Sequence, residues 1–272
     1  MPLKSLRSNT KEESGLTRLR ELLEASKPAG LDRLVHAYGS AERCYRCYLN
    51  VGEKDKKYDA ASAAAGIEET LAFRKELKLD SYRGVEDTHA AFESHRLRPR
   101  LPLAFAGTAP DGAVVQYARL SSFKAKELVS AASGEGELRN LVALWLEHAL
   151  RLQGESTRAR AAPCPGTYDV YDLAGVNMWK LVWECKETRG TLGPILNMGE
   201  THYPNNLYRC FIINASGLFT GIWKVIKPFL SQRTQQKVTI STHVPKDLVD
   251  AMGGAAKVED MMATVPEAPQ KD

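Results

Sequence analysis

The chain has 272 residues, 43% hydrophobic and 26% charged, with 37 basic and 33 acidic side chains. A chain this apolar buries enough surface to offset its ordering entropy, which excludes disorder as its main state and fits one large domain or a core domain with a smaller partner. The formal charge of +4 and pI near 8.7 are mildly basic and lack the Lys/Arg stripe of a nucleic-acid binder, so no nucleic-acid partner is expected, whereas an anionic membrane surface needs less charge and is not excluded.

Five cysteines at irregular spacing make no disulfide framework. The start, Met1-Pro2-Leu3-Lys4-Ser5-Leu6-Arg7, lacks the apolar stretch of a signal peptide. The richest apolar run, Leu218 to Leu230, is broken by Lys224, Lys227 and Pro228 and falls short of the roughly 20 residues that span a bilayer. The expectation is a soluble protein of a reducing compartment, cytoplasmic and only peripherally and reversibly membrane-associated.

Residues 1–14 are polar and without apolar periodicity, which predicts a flexible leader. Leu16, Leu19, Leu22 and Leu23 fall at helical spacing, and Pro28-Ala29-Gly30 ends that helix. Leu31, Leu34, Val35 and Tyr38 open a second helix, and Cys44, Tyr45, Cys47, Tyr48 and Leu49 form the apolar face of a third. After a polar loop, Asn50 to Lys57, Asp59 is placed to N-cap a helix carrying Ile67, Leu71, Phe73 and Leu77. The character changes near Pro99 to Pro102. Pro110-Asp111-Gly112 signals a turn, and Ala113 to Arg119 alternates as a strand. A long helix is predicted from Glu135 to Leu152. Strands at Tyr168–Leu173, Arg209–Ala215 and Lys237–Ser241 then alternate with helices at Met178–Met198 and Leu218–Leu230, an α/β pattern with a largely parallel sheet. A flexible tail is expected from Met261 to Asp272.

Enzyme signatures are weak. There is no Gly-x-Ser-x-Gly elbow and no Walker-type Gly-Lys-Ser/Thr, and Gly134-Glu135-Gly136 lacks the third glycine of a dinucleotide loop. The six histidines are scattered. Cys44 and Cys47 form a CxxC without a second Cys or His pair, and on a helix two residues three apart share one packed face. Asn214-Ala215-Ser216 fits a glycosylation sequon, but it ends an expected buried strand.

Tyr203-Pro204-Asn205-Asn206-Leu207-Tyr208-Arg209-Cys210-Phe211-Ile212-Ile213-Asn214-Ala215, running into Trp223 to Leu230, closely resembles the CRAL-TRIO lipid-binding family, which includes phosphatidylinositol/phosphatidylcholine transfer proteins. Tyr171-Asp172-Leu173-Ala174-Gly175 is similar to that family's Asp-Leu-x-Gly strand end. Lys56 to Glu76 is similar to its helical N-terminal module, and Asp111 to Arg119 sits where the family has its first strand. The likeness runs from about Leu31 to Gly254.

The resemblance implies an α/β fold: a helical N-terminal module (15–95), then a lipid-binding domain (96–260) whose mostly parallel sheet is flanked by helices. A gate helix carrying Phe219, Ile222, Trp223, Ile226, Phe229 and Leu230 would close a hydrophobic pocket. Exposing an acyl methylene costs about 0.8 kcal/mol, so two chains of roughly 30 methylenes would cost more than 20 kcal/mol, and such a carrier must keep its chains covered until docked on a membrane. The family's inositol-lipid headgroup site maps to Lys56, Lys57, Thr234 and Lys237, with Asn205 where the family has glutamate. Its phosphatidylcholine positions map to Thr167 and Asp169, and the acid at the second would repel a choline lipid's phosphate. The segment after Ser241 lacks the helix that precedes the family's closing Pro-x-x-Leu…Gly-Gly pattern. The implied activity is binding a phospholipid and exchanging it between membranes, with transient membrane contact, no cofactor beyond the lipid, and no covalent chemistry. Alternatives are a lipid-sensing regulator or scaffold of phosphoinositide or GTPase signalling, or a carrier of a sterol, tocopherol-like or retinoid ligand.

Overall fold

The computed structural model describes residues 10–50, 58–217, 219, 223–224 and 227–265; the side chains of Cys185, Arg189, Leu196 and Phe229 fall outside that description. Five helices come first: α1 (Thr10–Ser26), α2 (Leu31–Tyr38), α3 (Ala41–Leu49), α4 (Ala60–Glu76) and α5 (Val85–Glu93). Asp59 caps α4 as expected, accepting from the Ser62 amide at 3.1 Å. α1 starts inside the expected leader, because Glu12 and Glu13 both pair with Arg46 on α3 at 2.8 and 2.7 Å and hold its first turn down.

The sheet follows in chain order, β1 (Leu103–Thr108), β2 (Val114–Arg119), β3 (Thr167–Asp172), β4 (Leu207–Ile213) and β5 (Val238–Ile240). β1 runs antiparallel to β2, and the remaining pairs are parallel. The hairpin turn uses Gly112 at φ +85° and Asp111, whose Oδ1 accepts from the Ala113 amide at 3.0 Å. β1 is an additional first strand where only the Ala113–Arg119 strand was expected. It is a half-exposed edge strand whose register shifts between Phe105 and Thr108, next to Gly107 at φ +87°.

Between the strands run α6 (Ala125–Ala131), α7 (Glu135–Arg160), α8 (Met178–Glu187) and α9 (Arg189–His202). A sheet built strand by strand in one direction with right-handed crossovers places these helices on a single face. The opposite face, Val115, Tyr117, Tyr168, Val170, Phe211 and Ile213, is covered by the helices Lys246–Met252 and Ala255–Ala263. Those helices carry Leu248, Met252, Val258 and Met261 into the core, and Val265 just beyond them packs there too. Met261 and Val265 are buried, which corrects the expected tail at its start: Val258, Met261 and Val265 repeat at helical spacing.

α7 continues eight residues past its expected end. Gly154 lets it touch the α2–α3 corner, since a Cβ there would lie 2.3 Å from the Ala37 carbonyl oxygen. The helical module docks on α7 through a buried network. Arg74 donates to Glu147 at 2.6 and 3.1 Å and to Asp80 at 2.8 and 2.9 Å, and Arg151 donates to Glu147 at 2.8 Å. Among the described residues no helix is long and apolar enough to cross a membrane.

Candidate functional site: a sheet face polar at one end and apolar at the other

Register aligns Gln116, Asp169, Cys210 and Val238 across four strands, and Ala118, Tyr171, Ile212 and Ile240 one pleat further on. Residues in register on parallel strands project to the same side, here toward α7 and α8. At the carboxyl ends of the strands this face is apolar. Leu173, Cys210, Ile212 and Ala215 join Met178 and Leu181 of α8 and Phe219, with Tyr171, Val238 and Trp223 packed alongside.

Asp172 and Asn214 fix these strand ends. The buried Asp172 accepts from the Tyr117 hydroxyl and Asn214 Nδ2, both at 2.7 Å, and from the Ala174 amide at 2.8 Å. Gly175, at φ +73°, then turns the chain into α8. The Asp-Leu-x-Gly and Ile-Ile-Asn patterns are thus two halves of one hydrogen-bonded lock, and the Asn214 amide is committed to it.

The middle of the face is polar. Trp145 of α7 donates its indole N–H to Gln116 Oε1, and Gln116 Nε2 donates to Asp169 Oδ1 at 3.1 Å. Asp169 and Tyr171 are both half-buried on this face. Burial pushes the Asp169 carboxyl up to about 6, against the opposing pull of the Thr167 hydroxyl and Lys237. Thr167 itself is buried, its Oγ1 3.5 Å from the Asn206 carbonyl oxygen.

The amino ends of β4 and β5 gather the basic groups. Lys237 is half-buried and donates to the Leu207 carbonyl. Burial and then the nearby Arg233 guanidinium lower its pKa, while Glu200, Cys47 and Asp169 act in the opposite direction. Arg233, which sequence reasoning missed, donates to the carbonyl of Asn50 at the end of α3. Thr234 donates to Glu200 Oε1 of α9 at 2.5 Å, and its amide is capped by Ser231 Oγ at 3.2 Å. Asn205 sits at φ +58° and donates Nδ2 to the Cys47 carbonyl at 2.7 Å. A glutamate at this position would have no N–H to give, so the asparagine here ties the turn before β4 to α3. Lys56 and Lys57 lie outside the described residues.

Of the expected gate, Phe219 is buried, its ring 6.5 Å from that of the half-buried Trp223. Lys224 and Lys227 are exposed. Leu230 is half-buried, and its carbonyl accepts from Gln235 Nε2 at 2.8 Å. Ile222 and Ile226 lie outside the described residues, as does the side chain of Phe229. Cys44 is buried and Cys47 half-buried on one face of α3, both as free thiols, in keeping with packing.

The helix-covered face of this parallel sheet is thus basic at one end, polar in the middle and apolar at the other. The sequence profile of the CRAL/TRIO domain matches residues 102–253, more than half of the chain, and the protein belongs to this lipid-binding family. Curated relatives include "Protein real-time" of Anopheles gambiae, 28% identical over 182 residues, covering 67% of this chain and 25% of that protein. The "SEC14 cytosolic factor" of Eremothecium gossypii is 26% identical over 188 residues, covering 68% and 58%. That of Kluyveromyces lactis is 25% identical over 244 residues, covering 89% and 74%. The chain thus spans only about a quarter of the Anopheles protein and little more than half of the Eremothecium one. The crystal structure of Sfh5 shares the fold, with a TM-score of 0.57 at 15% identity, covering 97% of this chain and 93% of that one.

Proposed function

We propose that the protein binds one phospholipid, of the phosphatidylinositol type, and exchanges it between membranes. The observation that carries this reading is the polarity of the sheet face: Lys237, bonded to the Leu207 carbonyl, and Arg233, bonded to the Asn50 carbonyl, stand toward the amino ends of β4 and β5, while Met178, Leu181, Ile212 and Phe219 gather at the other end. Six strand residues at about 3.3 Å each separate the two ends by roughly 20 Å, which suits a headgroup at one end and acyl chains at the other. Two cations on this side of the sheet, one of them partly desolvated, favour a phosphate there. The carboxylate of Asp169 disfavours a phosphatidylcholine headgroup phosphate at the strand positions where the family holds one.

The test is transfer of labelled phosphatidylinositol and, separately, phosphatidylcholine between vesicles by the purified chain. Phosphatidylinositol transfer is expected to exceed phosphatidylcholine transfer. Removing a charged hydrogen-bond partner costs about 1.5–3 kcal/mol, so Lys237→Ala and Arg233→Ala should each lower phosphatidylinositol transfer at least tenfold. Transfer that ignores both substitutions would overturn the headgroup assignment.

A further inference from the structure

Two of the chain's four tryptophans stand in solvent on one helix. Trp179 is 73% exposed and Trp183 is 50% exposed, four residues apart on α8 and therefore on the same face. The inner face of this helix, Met178 and Leu181, belongs to the apolar cluster that also holds Phe219, with Trp223 beside it. α8 thus covers the apolar end of the sheet face and turns its indoles outward there.

Lysines and glutamates surround the indoles. Lys126 of α6 holds its ammonium 4.0 Å from the centre of the Trp183 ring and pairs with Glu187 at 2.7 Å. Lys124 pairs with Glu127 at 2.8 Å, Lys180 is exposed but lies 3.8 Å from the buried Glu184, and Lys186 is exposed. The segment next to this helix is more one-sided. From Thr201 to Pro245 the chain has five basic residues, Arg209, Lys224, Lys227, Arg233 and Lys237, and no acidic one. The net positive charge of the whole chain therefore arises in the stretch that includes the expected gate. Arg209 is paired with Asp247 at 3.0 Å, while Lys224 and Lys227 are exposed one and four residues after Trp223, which packs against the cluster on the inner face of α8.

We propose that the outer face of α8, with Trp179 and Trp183 as its inserting residues and Lys180, Lys224 and Lys227 as its cationic rim, is the surface by which the protein docks on an anionic bilayer. An indole combines an apolar body with a polar edge and favours the headgroup boundary, a place a soluble protein rarely prepares by leaving two of them exposed on one helix. Lysines near such a surface add attraction for anionic lipids that falls with salt. Docked in this way, the protein presents the apolar end of the sheet face to the bilayer. The proposal rests on the reading of a protein that visits membranes, and it does not depend on which lipid the chain carries.

The test is co-sedimentation of the full chain with phosphatidylcholine vesicles containing or lacking phosphatidylserine, with lipid extraction of the same preparations. Wild type is expected to bind phosphatidylserine vesicles more strongly than pure phosphatidylcholine ones, and less so at high salt. Because both indoles are exposed, Trp179→Ala/Trp183→Ala should fold and retain bound lipid, while losing vesicle affinity about tenfold for each indole that inserts. A double variant that binds vesicles like wild type would overturn the proposal while leaving lipid carriage intact. A wild-type chain that binds vesicles through these tryptophans but carries no lipid would instead overturn the proposed function and leave the docking surface standing. Wild type that dimerises where the double variant is monomeric would assign the face to a second copy and also overturn it.

Discussion

Arg74 Nη1 and Glu147 Oε2 meet at 2.6 Å with neither side chain reaching solvent, and this ion pair joins the helical module to the long helix behind the sheet. Burial alone would raise the Glu147 pKa, but Arg74 and Arg151 outweigh it and hold the carboxyl below its usual value. Removing one partner of such a pair leaves the other charge buried and costs about 3–5 kcal/mol. Glu147→Gln is therefore expected to destabilise the protein by that amount at pH 7, measured by chemical denaturation. A group whose folded pKa is depressed contributes stability that is present above its unfolded pKa and lost as pH falls through the folded one. The wild-type advantage over Glu147→Gln should accordingly shrink below about pH 4.

Asp169 has the opposite sign. Its folded pKa of about 6 lies above the unfolded value, so its stability contribution is full below the unfolded pKa and is lost as pH rises through about 6. Asp169→Asn keeps an oxygen to accept from Gln116 and removes the enclosed charge. It should raise the melting temperature by a few degrees at pH 8 and change it little at pH 4. An equal gain at both values would place the effect outside ionisation.

Asn205 offers a test that separates conformation from hydrogen bonding. Replacing it with the glutamate usual in the family puts a longer side chain at φ +58° and removes the donor to Cys47. Asn205→Glu should cost about 1–3 kcal/mol in urea unfolding. Asn205→Asp, which tolerates the left-handed backbone but cannot donate when ionised, should fall between the two.

Trp223 lies half-buried beside Phe219. If it gates the lipid site, Trp223→Glu should slow vesicle-to-vesicle transfer by tenfold or more while shifting the unfolding midpoint by little. Parallel losses in rate and stability would make it an ordinary packing residue.

Much of this architecture is legible in the sequence because it is local. The Tyr/Val alternation of β3, the apolar end of β4, the Asp59 cap and the spacing along α7 declare themselves within a few residues. β1 escaped because Leu103-Ala104-Phe105-Ala106-Gly107-Thr108 is rich in small residues and sits on an edge, where a strand needs no strong apolar alternation. The chemistry of the sheet face escaped for another reason. Gln116 and Trp145 are 29 residues apart, Gln116 and Asp169 are 53 apart, and Arg233 meets Asn50 across 183, so only the folded chain reveals that they are partners. The role of Asn205 was hidden similarly, because the residue it serves, Cys47, lies 158 positions upstream.

The central claim, that the chain carries one inositol phospholipid, is tested most directly by native mass spectrometry of the purified chain, followed by extraction and identification of what it carries. The account predicts a single bound phospholipid per chain with an inositol headgroup, its occupancy reduced in Lys237→Ala. A sterol or other neutral lipid at the same stoichiometry, or a chain that is empty after purification and after incubation with phosphatidylinositol vesicles, would contradict it.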